Sequence, residues 1–144
     1  MPAVHREKVM DVPLAALYRA ITDFDSYPEF LTEVVGVKRQ GKAGVTEKVT
    51  FELEIIKRFT YTLEFTIKEN EEVSWHLVDS NFFKVNTGKW KLEPQGDKKV
   101  KAHYDLDVGF GFFVPGWVAK KLTEVNLPTM FDNFETRAKK LEEK

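Results

Sequence analysis

The sequence predicts an α+β domain in the order β-α-α-β6-α, a curved antiparallel sheet of six or seven strands wrapped around a long C-terminal helix. Three observations carry this. From about residue 34 to 109, apolar and polar residues alternate with a period of two. Stripes with a period of 3.6 flank that stretch on both sides. Turn residues cut it into strand-length pieces. Runs of strands followed by a helix are the pattern of an α+β fold.

Residues 3 to 10 read as a short strand. In "VPLAALYRAITDF", Leu14, Leu17, Tyr18 and Ile21 fall at i, i+3, i+4 and i+7, which is an amphipathic helix with Pro13 at its first turn. "SYPEFLTEV" reads as a second, short helix with Ser26 as its cap and Pro28 near its start. The strands follow. Val49, Phe51, Leu53 and Ile55 alternate with Thr50, Glu52 and Glu54. Phe59, Tyr61, Leu63, Phe65 and Ile67 alternate with Thr60, Thr62, Glu64, Thr66 and Lys68. Val100, Ala102, Tyr104, Leu106 and Val108 alternate with Lys101, His103, Asp105 and Asp107. One dry face and one wet face mark an antiparallel sheet covered on one side only. Turns are expected at Gly41 and Gly44, Lys57-Arg58, Asn70 and "PQGDKK". "NFFKVNTGKWKLE" breaks phase between Val85 and Trp90, so a β-bulge is expected at Asn86 to Gly88. Beyond residue 117, Val118, Leu122 and Val125 make one stripe, and Leu127, Phe131, Phe134, Ala138 and Leu141 make another. Pro128 predicts a break near Asn126-Leu127, then a helix to about Leu141.

The 144 residues are read as a single domain, 1–144. The net charge of −1, from 22 basic and 23 acidic residues, gives no cationic surface for nucleic acid, and no nucleic-acid partner is expected. There is no cysteine, which excludes disulfide and thiolate chemistry and points to the cytoplasm. "MPAVHREKVM" lacks the apolar core of a signal peptide. No stretch approaches the ~18 apolar residues of a spanning helix.

A sheet of this width is broader than the ~10 Å of one helix with its side chains. Contact is good along the helix and poor at its flanks, which leaves a void lined by the dry faces. Interiors otherwise close-pack, so a retained void suggests a ligand. The residues expected to bind it are Phe51, Leu53, Tyr61, Phe65, Trp75, Trp90, Tyr104, Leu106, Phe112, Trp117, Leu122 and Phe131. Tyr61, Tyr104, Trp75 and Trp90 each pair an apolar body with one hydrogen-bonding tip. "FGFFVPGWV", from Phe110 to Val118, puts four aromatics between two periodic segments. Two readings stand for it. Either it is a gate that Gly109, Gly111 and Gly116 allow to move, with transient membrane contact through the Phe110–Trp117 loop, or it is a fixed plug of the core.

"DFDSYPEFL" (Asp23 to Leu31), "FFKVNTGKWKLEP", and "FVPGWVAKKL" followed by "LPTMFDNFETRAKKL" together resemble the START-like, or helix-grip, superfamily. Within it they are similar to the polyketide cyclase/dehydrase and coenzyme Q-binding branch, which also contains ribosome-association toxins. The likeness covers nearly the whole chain and rests on the order and spacing of these pieces. It implies a deep hydrophobic cavity under the long helix, with lipids, quinones, sterols and aromatic polyketides as the family's ligands. Where the coenzyme Q group continues Tyr-Pro-x-Phe-Leu with proline and an aromatic or cysteine, this chain has Thr32-Glu33-Val34.

Catalytic signatures are sparse. His5, His76 and His103 are far apart in sequence and form no metal-binding spacing, so no metal and no cofactor are expected. His103 is expected to pair with Asp105 on the wet face. His76 lies on a strand with apolar residues on both faces. Glu52 with Glu54 and Asp105 with Asp107 face water. Glu135 and Arg137 are expected to pair locally on the last helix. Three functions remain open. They are a non-enzymatic carrier of a hydrophobic small molecule, a cyclase or dehydratase using Tyr61, Tyr104 or His76 as proton donor, and a ribosome- or chaperone-associated module.

Overall fold

Alternation over residues 34 to 110 becomes six consecutive strands, and the N-terminal segment adds a seventh. The computed structural model describes residues 3–31, 33–55, 57–81, 83–111, 114–121 and 127–142. The elements are β1 (Ala3–Met10), α1 (Leu14–Thr22), a 3-10 turn (Phe24–Ser26), α2 (Tyr27–Phe30), β2 (Val34–Ala43), β3 (Thr46–Ile55), β4 (Lys57–Lys68), β5 (Glu72–Ser80), β6 (Phe83–Pro94), β7 (Val100–Phe110), α3 (Gly116–Lys121) and α4 (Leu127–Glu142). The strands form one antiparallel sheet in the order β1-β7-β6-β5-β4-β3-β2. The curved sheet and its C-terminal helix are the α+β arrangement that the sequence predicts.

The apolar positions of the alternation turn inward. Val49, Phe51, Leu53, Leu63, Phe65, Val73, Trp75, Val100, Ala102 and Tyr104 are buried. Asn70 takes the left-handed conformation, with φ of 59°, at the β4–β5 turn, where its short polar side chain tolerates it. Two details differ from expectation. The phase change in β6 lies upstream of Asn86, because the β6–β7 register shifts between Phe83 and Val85. From there Asn86, Trp90 and Leu92 are buried. A second shift, between Thr62 and Leu63 against β5, leaves Val78 as the extra residue. That bulge explains why β5 looks apolar on both faces: Val78 is exposed, and so is His76. Ser26 does not cap α2; its hydroxyl donates to Asp23 at 2.7 Å.

α1 buries Ala16, Leu17, Ala20 and Ile21. Phe24 follows it into the core, with its ring 4.5 Å from Phe65. α4 lies beside α1 and reaches the sheet through long side chains. Phe131 and Phe134 meet Trp90 edge-on at 5.4 and 5.2 Å. Pro128 falls in the first turn of α4, where its missing N–H costs nothing. The break expected near Asn126-Leu127 adjoins residues 122–126, which lie outside the described set, as do Leu122 and Val125.

Charges pin α4 on both flanks. Lys8 lies 2.8 Å from both Asp132 and Glu135, and the Asp11 amide donates to Glu135 at 3.0 Å. Arg137 meets Glu29 at 3.0 Å and covers the Phe30 ring at 5.5 Å. The local Glu135–Arg137 pair does not form, because each side chain finds a partner on another element. Burial works to raise the Glu135 pKa. The Lys8 and Asp11 hydrogen bonds and the Lys8 charge outweigh it, so the carboxyl sits below its ordinary 4.5. A depressed carboxyl stabilises the fold above its unfolded pKa, and that contribution is lost as pH falls through the folded value. Wild-type thermal midpoints should therefore drop below about pH 4.5. Glu135→Gln should show a lower midpoint at neutral pH and a shallower drop on acidification. Circular-dichroism melts across that range check the slope; parallel curves would remove Glu135 from the account.

Candidate functional site

The broad sheet and the single long helix leave a cavity of about 420 Å³ between them. Its floor comes from the inward positions of β3 to β7. Phe51, Leu53, Tyr61, Phe65, Trp75, Trp90, Tyr104 and Leu106, all expected from the sequence, are in the lining. Thr129, Met130, Asn133 and Phe134 on α4 form the roof, and Tyr27 and Leu31 close one end.

The remaining expected residues stand elsewhere. Phe131 is buried against Trp90 and Tyr104, at 5.4 and 5.6 Å, but does not line the cavity. At about 100° per residue, it lies past the edge of the arc that Thr129, Met130, Asn133 and Phe134 occupy. Trp117 is 56% exposed and also lies outside the lining, because the first turn of α3 carries it toward solvent. Phe112 and Leu122 lie outside the described residues. Of the aromatic loop, Phe110 lines the cavity, 5.4 Å from Phe83, and Val114 is buried.

Several lining residues were not singled out in advance. Leu63 shares the alternating face of Tyr61 and Phe65, and Phe134 shares the stripe of Phe131, so both carried a signal. Tyr27 and Leu31 were visible only as part of a motif. Asn86, read as a bulge position, is buried and accepts a 3.0 Å hydrogen bond from the Trp75 indole N–H. That bond fixes the indole while the amide N–H group of Asn86 remains a donor.

Polar residues in the lining are few: Tyr27, Tyr61, Asn86, Tyr104, Thr129 and Asn133 are neutral, and Glu33 is the acidic one among the described residues. Among the described residues, neither Tyr61 nor Tyr104 has a hydrogen-bond partner for its hydroxyl, and no fully buried side-chain polar atom lacks one. The two hydroxyls are therefore open to the cavity space. Burial pushes both phenols well above their ordinary pKa, with the nearby Tyr61 adding to the rise at Tyr104. Both stay protonated at any physiological pH and serve as neutral donors, not bases. The Tyr27 hydroxyl is already spent, donating to the Ile21 carbonyl at 2.6 Å.

Gly88 positions Trp75. The two are cross-strand partners, and a Cβ at residue 88 would meet the Asp105 carbonyl at 2.4 Å and Trp75 Cζ2 at 2.6 Å. Only glycine allows β7 and the indole to approach together. Gly88→Ala should cost about 1–3 kcal/mol and alter the near-ultraviolet circular dichroism of the buried tryptophans. An unchanged spectrum and melting point would show that the contact relaxes freely.

The expected proton donors separate. His76 lies on the outer face, 3.5 Å from Glu64, and takes no part in the cavity. His103 pairs with Glu7 at 3.3 Å and Glu93 at 3.2 Å; its expected partner Asp105 is held by His5 across the strand pair. No helix among the described residues is long and apolar enough to cross a membrane.

Known proteins share this arrangement. A START superfamily protein from Mycobacterium smegmatis superposes with a TM-score of 0.83 at 21% identity, covering 96% of this chain and 98% of that one. The Zhui aromatase/cyclase from Streptomyces sp. R1128 superposes with a TM-score of 0.84 at 10% identity, covering 96% and 94%. The ribosome association toxin RatA of Escherichia coli (strain K12) is 26% identical over 112 residues, 76% of this chain and 70% of its own length. The family described as polyketide cyclase / dehydrase and lipid transport matches residues 10–135. With a matching sequence over residues 10–135 and the helix-grip fold of START-like proteins, this chain belongs to the polyketide cyclase/dehydrase and lipid transport family.

Proposed function

We propose that the protein binds and carries a hydrophobic small molecule of lipid, quinone or aromatic polyketide type, free in the cytoplasm, in the cavity between sheet and α4. The observation that carries this is the cavity itself. About 420 Å³ falls in the range of small-molecule sites, with walls mostly of Phe, Leu, Val and Trp and a few oriented polar tips. Burying apolar ligand surface at about 25 cal/mol per Å² supplies affinity without a buried charge. Tyr61, Tyr104 and the Asn86 amide would orient a carbonyl or hydroxyl group on the guest.

The test is native mass spectrometry of freshly purified protein, followed by titration with a lipophilic fluorescent dye. A co-purifying lipophile is expected. Leu106→Trp, which fills part of the cavity, should weaken dye binding at least tenfold. Tyr104→Phe should weaken a carbonyl-bearing guest by up to about tenfold, one neutral hydrogen bond. Dye affinity untouched by Leu106→Trp would remove the cavity from the account.

The pair of neutral phenols favours one rival, a cyclase or dehydratase in which they polarise a substrate carbonyl. Turnover of an aromatic polyketide-like substrate that is lost in Tyr61→Phe and Tyr104→Phe would establish it. The likeness to RatA motivates a ribosome-associated role. Co-sedimentation with ribosomes that survives Leu106→Trp would favour that role over the carrier.

A further inference from the structure

We propose that His5, Glu7 and His103 form a binding site for one divalent transition-metal ion, of which zinc is the simplest, on the outer face of the sheet where β1 pairs with β7. The site is separate from the cavity. His5 and Glu7 are two residues apart on β1, so their side chains share a face. The register sets Glu7 opposite His103 and His5 opposite Asp105. Residues almost a hundred positions apart thus become neighbours.

The geometry suits a metal better than an ordinary surface charge network. Glu7 Oε2 lies 3.5 Å from His5 Nε2 and 3.3 Å from His103 Nδ1. Two ligands on a tetrahedral zinc, each about 2.0–2.1 Å from the ion, stand roughly 3.3 Å apart. The two observed edges already have that length. The three donor atoms lie within 4.8 Å of one another, so only the edge between the two histidines must contract. His5 is 57% exposed, so its ring has room to tilt inward while keeping its bond to Asp105.

The outward nitrogens supply a second, independent observation. His5 Nδ1 is hydrogen-bonded to Asp105 Oδ1 at 2.5 Å, and His103 Nε2 to Glu93 Oε2 at 3.2 Å. Each ring therefore has a carboxylate on one nitrogen and aims the other toward Glu7. A carboxylate behind each imidazole is the arrangement that fixes the tautomer and strengthens the ring as a ligand in metal sites. Lys101 stands 3.7 Å from Glu7 Oε1, the oxygen on the other side of the carboxylate. It orients that carboxylate and lowers the affinity without occupying the ligand position. Two imidazoles and one carboxylate are a donor set for zinc, nickel or copper and a poor one for calcium or magnesium. The fourth position is left to water. Such an ion would clamp the edge strand β1 to β7, adding a tie between distant parts of the chain.

The test uses tag-free, chelator-stripped protein titrated with zinc chloride by calorimetry, with melting followed in parallel. One ion per chain is expected, with a melting temperature that rises with zinc concentration as mass action requires. His5→Ala and His103→Ala should each weaken binding at least tenfold. Asp105→Asn should weaken it by about tenfold. His76→Ala should leave it unchanged. All four positions are on the outer face, and far-ultraviolet circular dichroism confirms that each variant is folded. Absence of saturable one-to-one binding, affinity retained in the His5→Ala/His103→Ala double variant, or one ion shared by two chains would each overturn the site.

Discussion

Phe134→Ala is expected to lower the unfolding free energy by about 3 kcal/mol, the lower end of the range for a buried phenylalanine. Phe134 is 2% exposed and touches Tyr27, Phe30 and Trp90 at ring separations of 5.5, 5.1 and 5.2 Å. Those contacts join α4 to α2 and to β6 through one side chain. The ring also borders the cavity, so the hole left by alanine merges with space that already exists. That reduces the penalty relative to a solid core, where each lost contact has a fully packed partner. For a domain of this size the melting temperature should fall by roughly 10 °C. Phe131→Ala makes the comparison, because Phe131 is buried beside the same Trp90 without bordering the cavity. Its hole is closed, so it should cost as much or more, although Phe131 lacks the contacts to α2. Urea denaturation of both variants measures the difference. A loss below about 1 kcal/mol at Phe134 would mean that α4 is anchored elsewhere.

The fold was legible because its two periods are clean. Val49, Phe51 and Leu53 alternate without interruption, and Leu17 and Ile21 sit one turn apart, so strand faces and helix stripe follow from local spacing alone. The void was legible too, since it follows from the width of a sheet against that of a helix. The rest depended on pairing between distant strands, which local periodicity does not encode. Nothing in "VHREKV" announces that His5 and Glu7 will face His103; that requires the β1–β7 register. The bulge at Val78 hid the exposed side of His76 for the same reason, since a single extra residue reverses the faces downstream. Asn86 and Gly88 carried the opposite lesson. Both read as bulge positions, and both are inward positions that hold Trp75 in place, one by a hydrogen bond and one by having no side chain.

Arg39→Ala is expected to cost about 3 kcal/mol, because it leaves a carboxylate buried without its partner. Glu47 occupies an inward position on β3, continuing the face of Val49 and Phe51, and its side chain is 2% exposed. Sequence alternation gives no reason for a charge there. The structure supplies one: both Glu47 oxygens are held by the Arg39 guanidinium, through Nε and, at 2.7 Å, through Nη2. The same guanidinium lies 5.5 Å over the Phe24 ring and 3.5 Å from Asp25, which ties the edge strand β2 to the segment after α1. A bidentate pair of this kind is geometrically demanding, and Lys42, the cross-strand partner of Glu47, offers only a point charge in its place. Arg39 is 30% exposed, so water reaches part of the gap and holds the penalty at the low end for a buried pair. Arg39→Lys should recover little, since a point charge cannot reproduce the two-pronged contact. The apolar double variant Arg39→Met/Glu47→Leu should recover most of the loss, because it removes the stranded charge along with its partner. Denaturant unfolding of the two single variants and the double variant closes the cycle. If Arg39→Ala alone is nearly neutral while the double variant is strongly destabilised, the stabilisation resides in packing around the arginine stem and not in neutralising Glu47.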